Sequence, residues 1–239
     1  MNRVGRRKKK AFTLIELMLA MAFVSFLLLA VAMTVIQIAN IYNKGLTIKD
    51  VNQAGSSISS ELQRSIASSL PFDVNSDDIY IKKNFGGRLC TGQFSYVWNY
   101  GSYIAKSVKK GGKKPKVNIY TYDDNVDKII RFVKVLDSGA LYCKNPKEKI
   151  KYDDAVELLD VGEHNLAIHE FEIEAPKSAF DGATGQQLYN ISFLIGTNNQ
   201  SAIDSQYMNC KPPNESGADP TYCYINRFEI VARAGNSVE

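Results

Sequence analysis

Glu16 is the first residue whose position suggests chemistry. Six basic residues precede it, and it is the only charge in an apolar run that extends from Phe12 to Asn43; the six are Arg3, Arg6, Arg7, Lys8, Lys9 and Lys10. A carboxylate at membrane depth is costly, so such residues usually have a function.

Four cysteines form the second candidate group: Cys90, Cys143, Cys210 and Cys223. An even number outside the cytoplasm predicts two disulfides, with three connectivities open. Cys210 and Cys223 enclose a loop that contains Pro and Gly and has little core of its own, so this local closure is favoured and Cys90–Cys143 follows by elimination. The spacings lack the close Cys pairs of zinc sites, so no metal is expected.

The remaining polar residues give weaker signals. His169 falls on the same face of a predicted strand as Phe171 and Ile173. This predicts a histidine in the core or at its rim, and not a catalytic base or metal ligand. The stretch DVNSDD, Asp73–Asp78, has Asp78 where a calcium loop requires Gly, so it is interpreted as a solvated linker. Without a nucleophile motif or a phosphate-binding Gly loop, the sequence predicts neither an enzyme nor a cofactor.

A basic stretch, KKGGKKPK at Lys109–Lys116, has Tyr100, Tyr103 and Tyr120 near it in sequence. An exposed hairpin loop accounts for it, and contact with the phosphates of a nucleic acid is the functional alternative. Net charge does not decide between them. The chain has 29 Lys and Arg against 25 Asp and Glu, and the first 11 residues hold six of the basic residues and no acid.

The apolar segment is long enough to cross a membrane. Residues Leu17 to Ala39 give roughly 34 Å of helix against a hydrocarbon core of about 30 Å. The basic residues before it predict a cytoplasmic amino terminus and a single pass. Two alternatives leave Glu16 unexplained: a secretory signal cut after Ala30-Val31-Ala32, and a plain uncleaved anchor.

The helical pattern continues beyond the membrane as an amphipathic stripe of Ile41, Ile48, Val51, Ala54, Ile58, Leu62 and Ile66. Pro71 is expected to end the helix at Leu70, and Gly45 and Gly55 weaken it. One long helix, half in the membrane and half against the head, is favoured over a solvated stalk with a short coiled coil.

The remainder, residues 71–239, is predicted to be a β-rich head, which makes the fold class α+β with two packed sheets expected. KVNIYTY and KIIRFVKVL flank a polar turn at Asp123–Asp127 and predict a hairpin. Three further strands are expected in LAIHEFEIEA, QLYNISFLIG and NRFEIVARA. Their inward candidates are Phe171, Ile173, Ile191, Phe193, Phe228 and Ile230.

The stretch AFTLIELMLA, Ala11–Ala20, resembles the processing site of type IV prepilins and type II secretion pseudopilins. The resemblance implies that a prepilin peptidase cuts between Ala11 and Phe12 and methylates the new amino terminus of Phe12. Glu16 matches the characteristic acid of the family, which implies pairing with the Phe12 amine of a neighbouring subunit during assembly. The chain departs from the pattern at Ala11, where the family normally has Gly.

The resemblance also implies an organisation and a function. The parts are a leader (1–11), a transmembrane half-helix (12–40), an amphipathic half-helix (41–70) and the head (71–239). The layout is similar to minor pilins of the J or W type, stored in the cytoplasmic membrane and then assembled with other pilin subunits into a periplasmic or extracellular filament. The presence of Glu16 argues against the topmost position. The alternatives are a tip-proximal adhesin or DNA-binding pilin and, third, a membrane-tethered enzyme.

Overall fold

The computed structural model describes residues 13–107, 117–124, 128–145, 148–159, 162, 164–176, 178, 180–206 and 208–235. Its helices are α1 (Leu14–Ala67), α2 (Gly101–Ser107) and α3 (Leu141–Lys144). Its strands are β1 (Tyr80–Lys83), β2 (Gly86–Cys90), β3 (Phe94–Asn99), β4 (Phe132–Leu136), β5 (Ala155–Leu159), β6 (Leu166–Glu174), β7 (Phe180–Asp181), β8 (Gln186–Thr197), β9 (Ile203–Asp204), β10 (Asn209–Cys210) and β11 (Ile225–Ala234). The protein is therefore α+β, with one long amino-terminal helix and a β-rich head.

The amino-terminal part of α1 has an apolar surface with no protein cover. Every side chain from Thr13 to Tyr42 is exposed, and this part of the chain up to Asn43 forms a compact unit separate from the rest. Among the described helices, α1 is the one long and apolar enough to cross a membrane. These exposed side chains are those that lipid or neighbouring helices would cover.

The second part of α1 packs against the head through one face. Val51, Ile58, Leu62 and Ile66 of the predicted stripe are fully buried, whereas Ile41 lies in the exposed part. The helix ends at Ala67, three residues before the predicted end. The side-chain hydroxyls of Ser68 and Ser69 donate to the carbonyls of Ser65 and Ile66, and this local bonding competes with a further helical turn.

A five-stranded antiparallel sheet, ordered β1-β2-β3-β4-β5, forms the first layer of the head. Tyr96 and Trp98 on β3 and Phe132 on β4 share one face, which packs with α1 in the main core. Val97, Val133 and Val135 lie on the opposite face and pack under Tyr122, Ile130 and Ile150, so this face is covered by irregular chain.

The predicted hairpin between KVNIYTY and KIIRFVKVL is wrong. Both edges of β4 are occupied, by β3 and β5, which leaves no edge for residues 117–122 to join. That segment instead crosses the outer face of the sheet, where the Asn99 side chain donates to the Tyr120 carbonyl and accepts the Tyr120 N–H. Only an isolated bridge, Thr121 to Ile129, remains of the expected pairing, and the turn lies partly outside the described residues.

The three later strands are confirmed as β6, β8 and β11, which form an antiparallel sheet in the order β11-β8-β6, with β7 added to β8. Phe171, Ile173, Ile191 and Phe193 are buried in the main core, and Phe228 and Ile230 pack against it. A third, two-stranded sheet joins β9 and β10. The described part of the head thus contains three sheets where two were expected.

Gly55 lies at the closest approach of α1 to β11. A Cβ atom at this position would lie 2.1 Å from Cζ of Phe228, whose ring stacks on Phe193 with centroids 5.3 Å apart. Gly45 belongs to the same helix, but a Cβ atom added there would meet no other atom within 4 Å. The Phe228 ring therefore leaves no room for a side chain at position 55. Packing of α1 against this ring offsets the lower helix propensity of glycine.

We expect Gly55→Val to lower the free energy of unfolding of the head by about 2–3 kcal/mol, because the added atoms overpack the Phe228 contact. Gly45→Val is the matched control and should change it by less than about 0.5 kcal/mol. Fluorescence of Trp98, the single and fully buried tryptophan, reports unfolding in urea. Equal effects of the two substitutions would contradict the packing role of Gly55.

Candidate functional site

The carboxylate of Glu16 lies at the first turn of α1 and bonds to Thr13 of the same chain. One carboxylate oxygen, Oε2, accepts the Thr13 N–H at 2.9 Å and the Thr13 hydroxyl at 2.9 Å. The Glu16 N–H donates in return to the Thr13 hydroxyl oxygen at 3.4 Å. These reciprocal bonds form a capping box, which satisfies free N–H groups at the start of a helix.

The sequence interpretation did not include this local role of Glu16. The sequence does contain a signal for this capping role, because Thr13 followed three residues later by Glu16 has the spacing of a capping box before an apolar run. Ala11 and Phe12, the expected cleavage site and methylated terminus, lie outside the described residues. Glu16 therefore has one partner in the described chain, and its expected pairing with a second subunit remains a prediction.

An apolar surface continues from Glu16 along the exposed part of α1. A shallow groove is lined by Glu16, Leu17, Ala20, Met21, Val24 and Ser25. Ala20 and Ser25 are small, and the Ser25 hydroxyl is satisfied internally by the Met21 carbonyl at 2.9 Å. Small side chains permit close approach of a second helix in a membrane. Glu16 thus lies at one end of a surface suited to helix packing.

The head contains two disulfides, Cys90–Cys143 and Cys210–Cys223, the same pairs that the loop argument favours. Cys90 and Cys143 are both buried, and they join β2 to α3 across a sequence separation of 53 residues. Cys210 and Cys223 close a separation of 13 residues at the carboxyl-terminal loop. The Cys90–Cys143 disulfide therefore ties helix α3 to the five-stranded sheet, and the Cys210–Cys223 disulfide closes a local loop.

Asp137 positions the short helix that carries Cys143. Its carboxylate accepts the N–H groups of Leu141 at 2.9 Å and Tyr142 at 3.2 Å, at the start of α3. The Ser95 hydroxyl donates to the same carboxylate at 2.6 Å and lies 3.0 Å from Sγ of Cys90. Ser95 and Asp137 thus connect the two ends of the disulfide through hydrogen bonds.

The histidines have structural roles. His169 is buried and its Nε2 lies 3.1 Å from the Thr197 carbonyl, while burial lowers the pKa of its imidazole. A neutral ring in the core agrees with the predicted core or rim histidine. His164 Nδ1 lies 2.8 Å from a carboxylate oxygen of Asp50 on α1. His169 therefore joins β6 to β8 within the head, and His164 joins the head to α1.

The two remaining sequence candidates are the acidic stretch Asp73–Asp78 and the basic stretch Lys109–Lys116. In Asp73–Asp78, the Asp73 side chain accepts the N–H of Asn75, as in an ordinary polar turn. Among the described residues, no three His, Cys, Asp or Glu side chains are placed to hold a metal ion. Lys109–Lys116 lies outside the described residues, but the tyrosines on either side of it, Tyr103 and Tyr120, both contact Phe85.

A long exposed apolar helix that continues into a β-rich head, with a carboxylate at the helix start, fits a membrane-anchored protein. The family model described as the prokaryotic N-terminal methylation motif matches residues 6–36. The match supports a type IV pilin-like protein. No curated protein and no solved structure is significantly similar to the chain.

Proposed function

We propose that the chain is a minor pilin or pseudopilin subunit, stored in the cytoplasmic membrane and assembled into a type IV pilus or secretion pseudopilus through α1. The observation that carries the proposal is the methylation motif at residues 6–36, which includes the Ala11–Phe12 bond and Glu16. In this proposal a prepilin peptidase removes residues 1–11 and methylates Phe12. Residues 12–40 then hold the subunit in the membrane until assembly.

The geometry of Glu16 supports an assembly role. The capping bonds to Thr13 hold the carboxylate at the first turn of α1, close in sequence to the residue whose amine cleavage would release. A neighbouring subunit could then present its own Phe12 amine to this carboxylate across the apolar groove. The partners are accordingly other pilin subunits, and a subunit that carries this acid is expected below the topmost position.

The head supports the minor-subunit assignment of the J or W type by layout. It follows α1 with an early five-stranded sheet, a linking segment and later strands that end near the carboxyl terminus. Two disulfides fit a head that functions outside the cytoplasm.

The experiment is recovery of the protein from sheared filaments and from membranes, in cells with and without prepilin peptidase. With the peptidase, the protein should occur in filaments in small amounts relative to the major subunit. Without it, the protein should remain in the membrane with its leader. A protein that never enters filaments in the presence of the peptidase would contradict the proposal.

A further inference from the structure

Strand β11 forms one outer edge of the β11-β8-β6 sheet. It is 10 residues long, contains no proline and pairs with β8 over its whole length in an uninterrupted register. The outer strands of the five-stranded sheet, β1 and β5, have 4 and 5 residues. A long regular edge is a template for another strand, and proteins usually shorten, bend or cover such edges. Among the described strands, β11 therefore has the edge best suited to pairing with further chain.

Alternate residues of β11 direct their main-chain groups away from β8. The Thr197 N–H donates to the Tyr224 carbonyl at 3.0 Å, so the alternation of an antiparallel ladder turns every odd-numbered residue of β11 to the open edge. The Val231 carbonyl agrees with this assignment, because it accepts the side-chain amide of Gln63 at 3.1 Å. The edge N–H groups that have no acceptor among the described residues are those of Arg227, Glu229, Val231 and Arg233.

The outer face of the sheet beside this edge carries negative charge. Glu229 lies opposite Ser192, which in turn lies opposite Glu172 on β6, so two carboxylates flank one hydroxyl. These residues line a depression of about 490 Å³ on the outer face, together with Glu174 and Val231. A face of this composition attracts a cationic side chain.

The basic residues near Glu229 bind other carboxylates. Arg227 donates to Glu170 at 2.6 Å, and Lys82 pairs with Glu172 at 2.8 Å. Glu229 itself has no basic partner within the described part of the chain. Opposite charges on paired strands stabilise each other, so a cation on an added strand would offset the charge of Glu229.

The inner side of the same edge is apolar and incompletely covered. Phe228 and Ile230 point inward and pack against the main core, yet both are only half-buried. Side chains alternate between the two faces of a strand, so an added strand could cover them with apolar residues of its own. The edge therefore fits a strand with apolar residues on one side and a basic residue on the other.

We propose that the open edge of β11 binds an extended segment of another protein as an additional strand. The segment places apolar side chains beside Phe228 and Ile230 and a lysine or arginine beside Glu229. Main-chain hydrogen bonds give such strand addition its affinity, and alternate side chains give its specificity. The inference goes beyond the proposed function and does not depend on processing at Phe12 or on filament assembly.

A second copy of the chain fits this edge less well. The second part of α1 and β11 run in the same direction, because Asn52 contacts Asn226 at 2.9 Å and the Gly235 N–H donates to the Ser69 carbonyl at 2.9 Å. Antiparallel pairing of two β11 strands would therefore point their helices in opposite directions. Two copies inserted into one membrane with the same topology point the same way.

The test measures binding of labelled synthetic peptides to the full chain in non-ionic detergent by fluorescence anisotropy. The first peptide has about nine residues, close to the length of β11, alternates valine with threonine and carries lysine at its central threonine position. A second peptide has glutamate in place of this lysine. Two further peptides carry N-methyl groups, one on every valine amide and one on every amide of the threonine and lysine positions, so each has one edge that cannot donate.

We expect the lysine peptide to bind and the glutamate peptide to bind at least about threefold more weakly, because the charge beside Glu229 is reversed. Of the two N-methylated peptides, the one whose methyl groups face β11 should lose binding, and the other should retain it. Binding of both N-methylated peptides, or equal affinity for the lysine and glutamate peptides, would overturn the proposal.

Val231→Pro tests the edge of the protein, because it removes an N–H that faces away from β8 and places a ring in the path of the added strand. Affinity for the lysine peptide should fall at least about tenfold, while Trp98 fluorescence still reports a folded head. Val231→Thr keeps the N–H and the branched side chain, and should stay within about twofold of the wild type.

Glu229→Gln tests the charge without changing the backbone and should weaken binding of the lysine peptide about threefold. The matched control is Glu215→Gln, which removes an exposed carboxylate outside the sheet and should leave binding unchanged. Equal effects of the two glutamate substitutions, or unchanged affinity in folded Val231→Pro, would overturn the proposal. A wild-type dimer in detergent that Val231→Pro abolishes would assign the edge to a second copy and would also overturn it.

Discussion

Glu16→Leu is expected to reduce incorporation of the subunit into filaments by more than about a hundredfold, while cleavage and the fold of the head stay intact. The loss follows because one partner of a charge pair in a low-dielectric bundle is removed and the Phe12 amine of the neighbour is left uncompensated. Insertion into the membrane should become easier, since a carboxylate is removed from the apolar segment. The measurement compares filament-associated and membrane-held protein at matched expression.

Two further variants separate the charge of Glu16 from its capping bonds. Glu16→Gln keeps an acceptor for the Thr13 N–H and hydroxyl but removes the charge, since Gln also serves in a capping box. Thr13→Val keeps the charge and removes the hydroxyl that bonds to it. If the charge carries assembly, Glu16→Gln should fail like Glu16→Leu, whereas Thr13→Val should assemble. Normal assembly of Glu16→Gln would reduce the role of Glu16 to capping.

Removal of the Cys90–Cys143 disulfide by Cys90→Ala with Cys143→Ala is expected to lower the free energy of unfolding of the head by about 4 kcal/mol. The estimate follows from the loop entropy that a crosslink across 53 residues removes from the unfolded chain. The buried position of both sulfurs adds a packing loss. Urea unfolding followed by Trp98 fluorescence gives the value.

The matched comparison is Cys210→Ala with Cys223→Ala, for which the shorter separation of 13 residues predicts a loss of about 3 kcal/mol. This change should loosen the carboxyl-terminal loop and leave the main core in place. Non-reducing peptide mapping of the wild type should recover both pairs. A larger loss from the second pair, or four free thiols in exported protein, would contradict this account of the crosslinks.

The parts of the fold that the sequence predicts well are those with strong periodicity. The stripe at Val51, Ile58 and Leu62 predicts the buried face of α1, because a helical period repeats over several turns. The strands β6, β8 and β11 are nine or more residues long and alternate apolar and polar residues over part of that length, as in Glu170–Glu174, so the inward residues of these parts follow directly. Local pattern and tertiary burial agree in these elements.

The early sheet is harder to predict, because contacts distant in sequence determine it. Gly86 and Gly87 are poor strand residues by propensity, yet they form part of β2. A Cβ at Gly86 would lie 2.0 Å from the Trp98 carbonyl, and one at Gly87 would lie 2.4 Å from the Trp98 ring. The predicted hairpin fails for the related reason that β3 and β5, both distant in sequence from KVNIYTY, occupy the edges of β4.

For the candidate site, the order of basic residues, Ala11, Phe12 and Glu16 predicts processing, and this stays a prediction. The methylation-motif match at residues 6–36 includes Ala11, Phe12 and Glu16. The capping box is also visible in sequence once Thr13 and Glu16 are considered as a pair. The contact of Arg88 with the Tyr120 ring is not visible in the sequence, because the two residues are far apart along the chain.

Mass spectrometry of the amino-terminal peptide, on protein recovered from cells that contain prepilin peptidase, decides whether the chain is processed as a pilin-like subunit. We expect a chain that begins at Phe12 and carries a methyl group on its amine. A chain that begins at Met33 would indicate an ordinary secretory signal, and an intact amino terminus at Met1 would indicate a plain membrane anchor. Either result would contradict processing as a pilin-like subunit and the role given to Glu16.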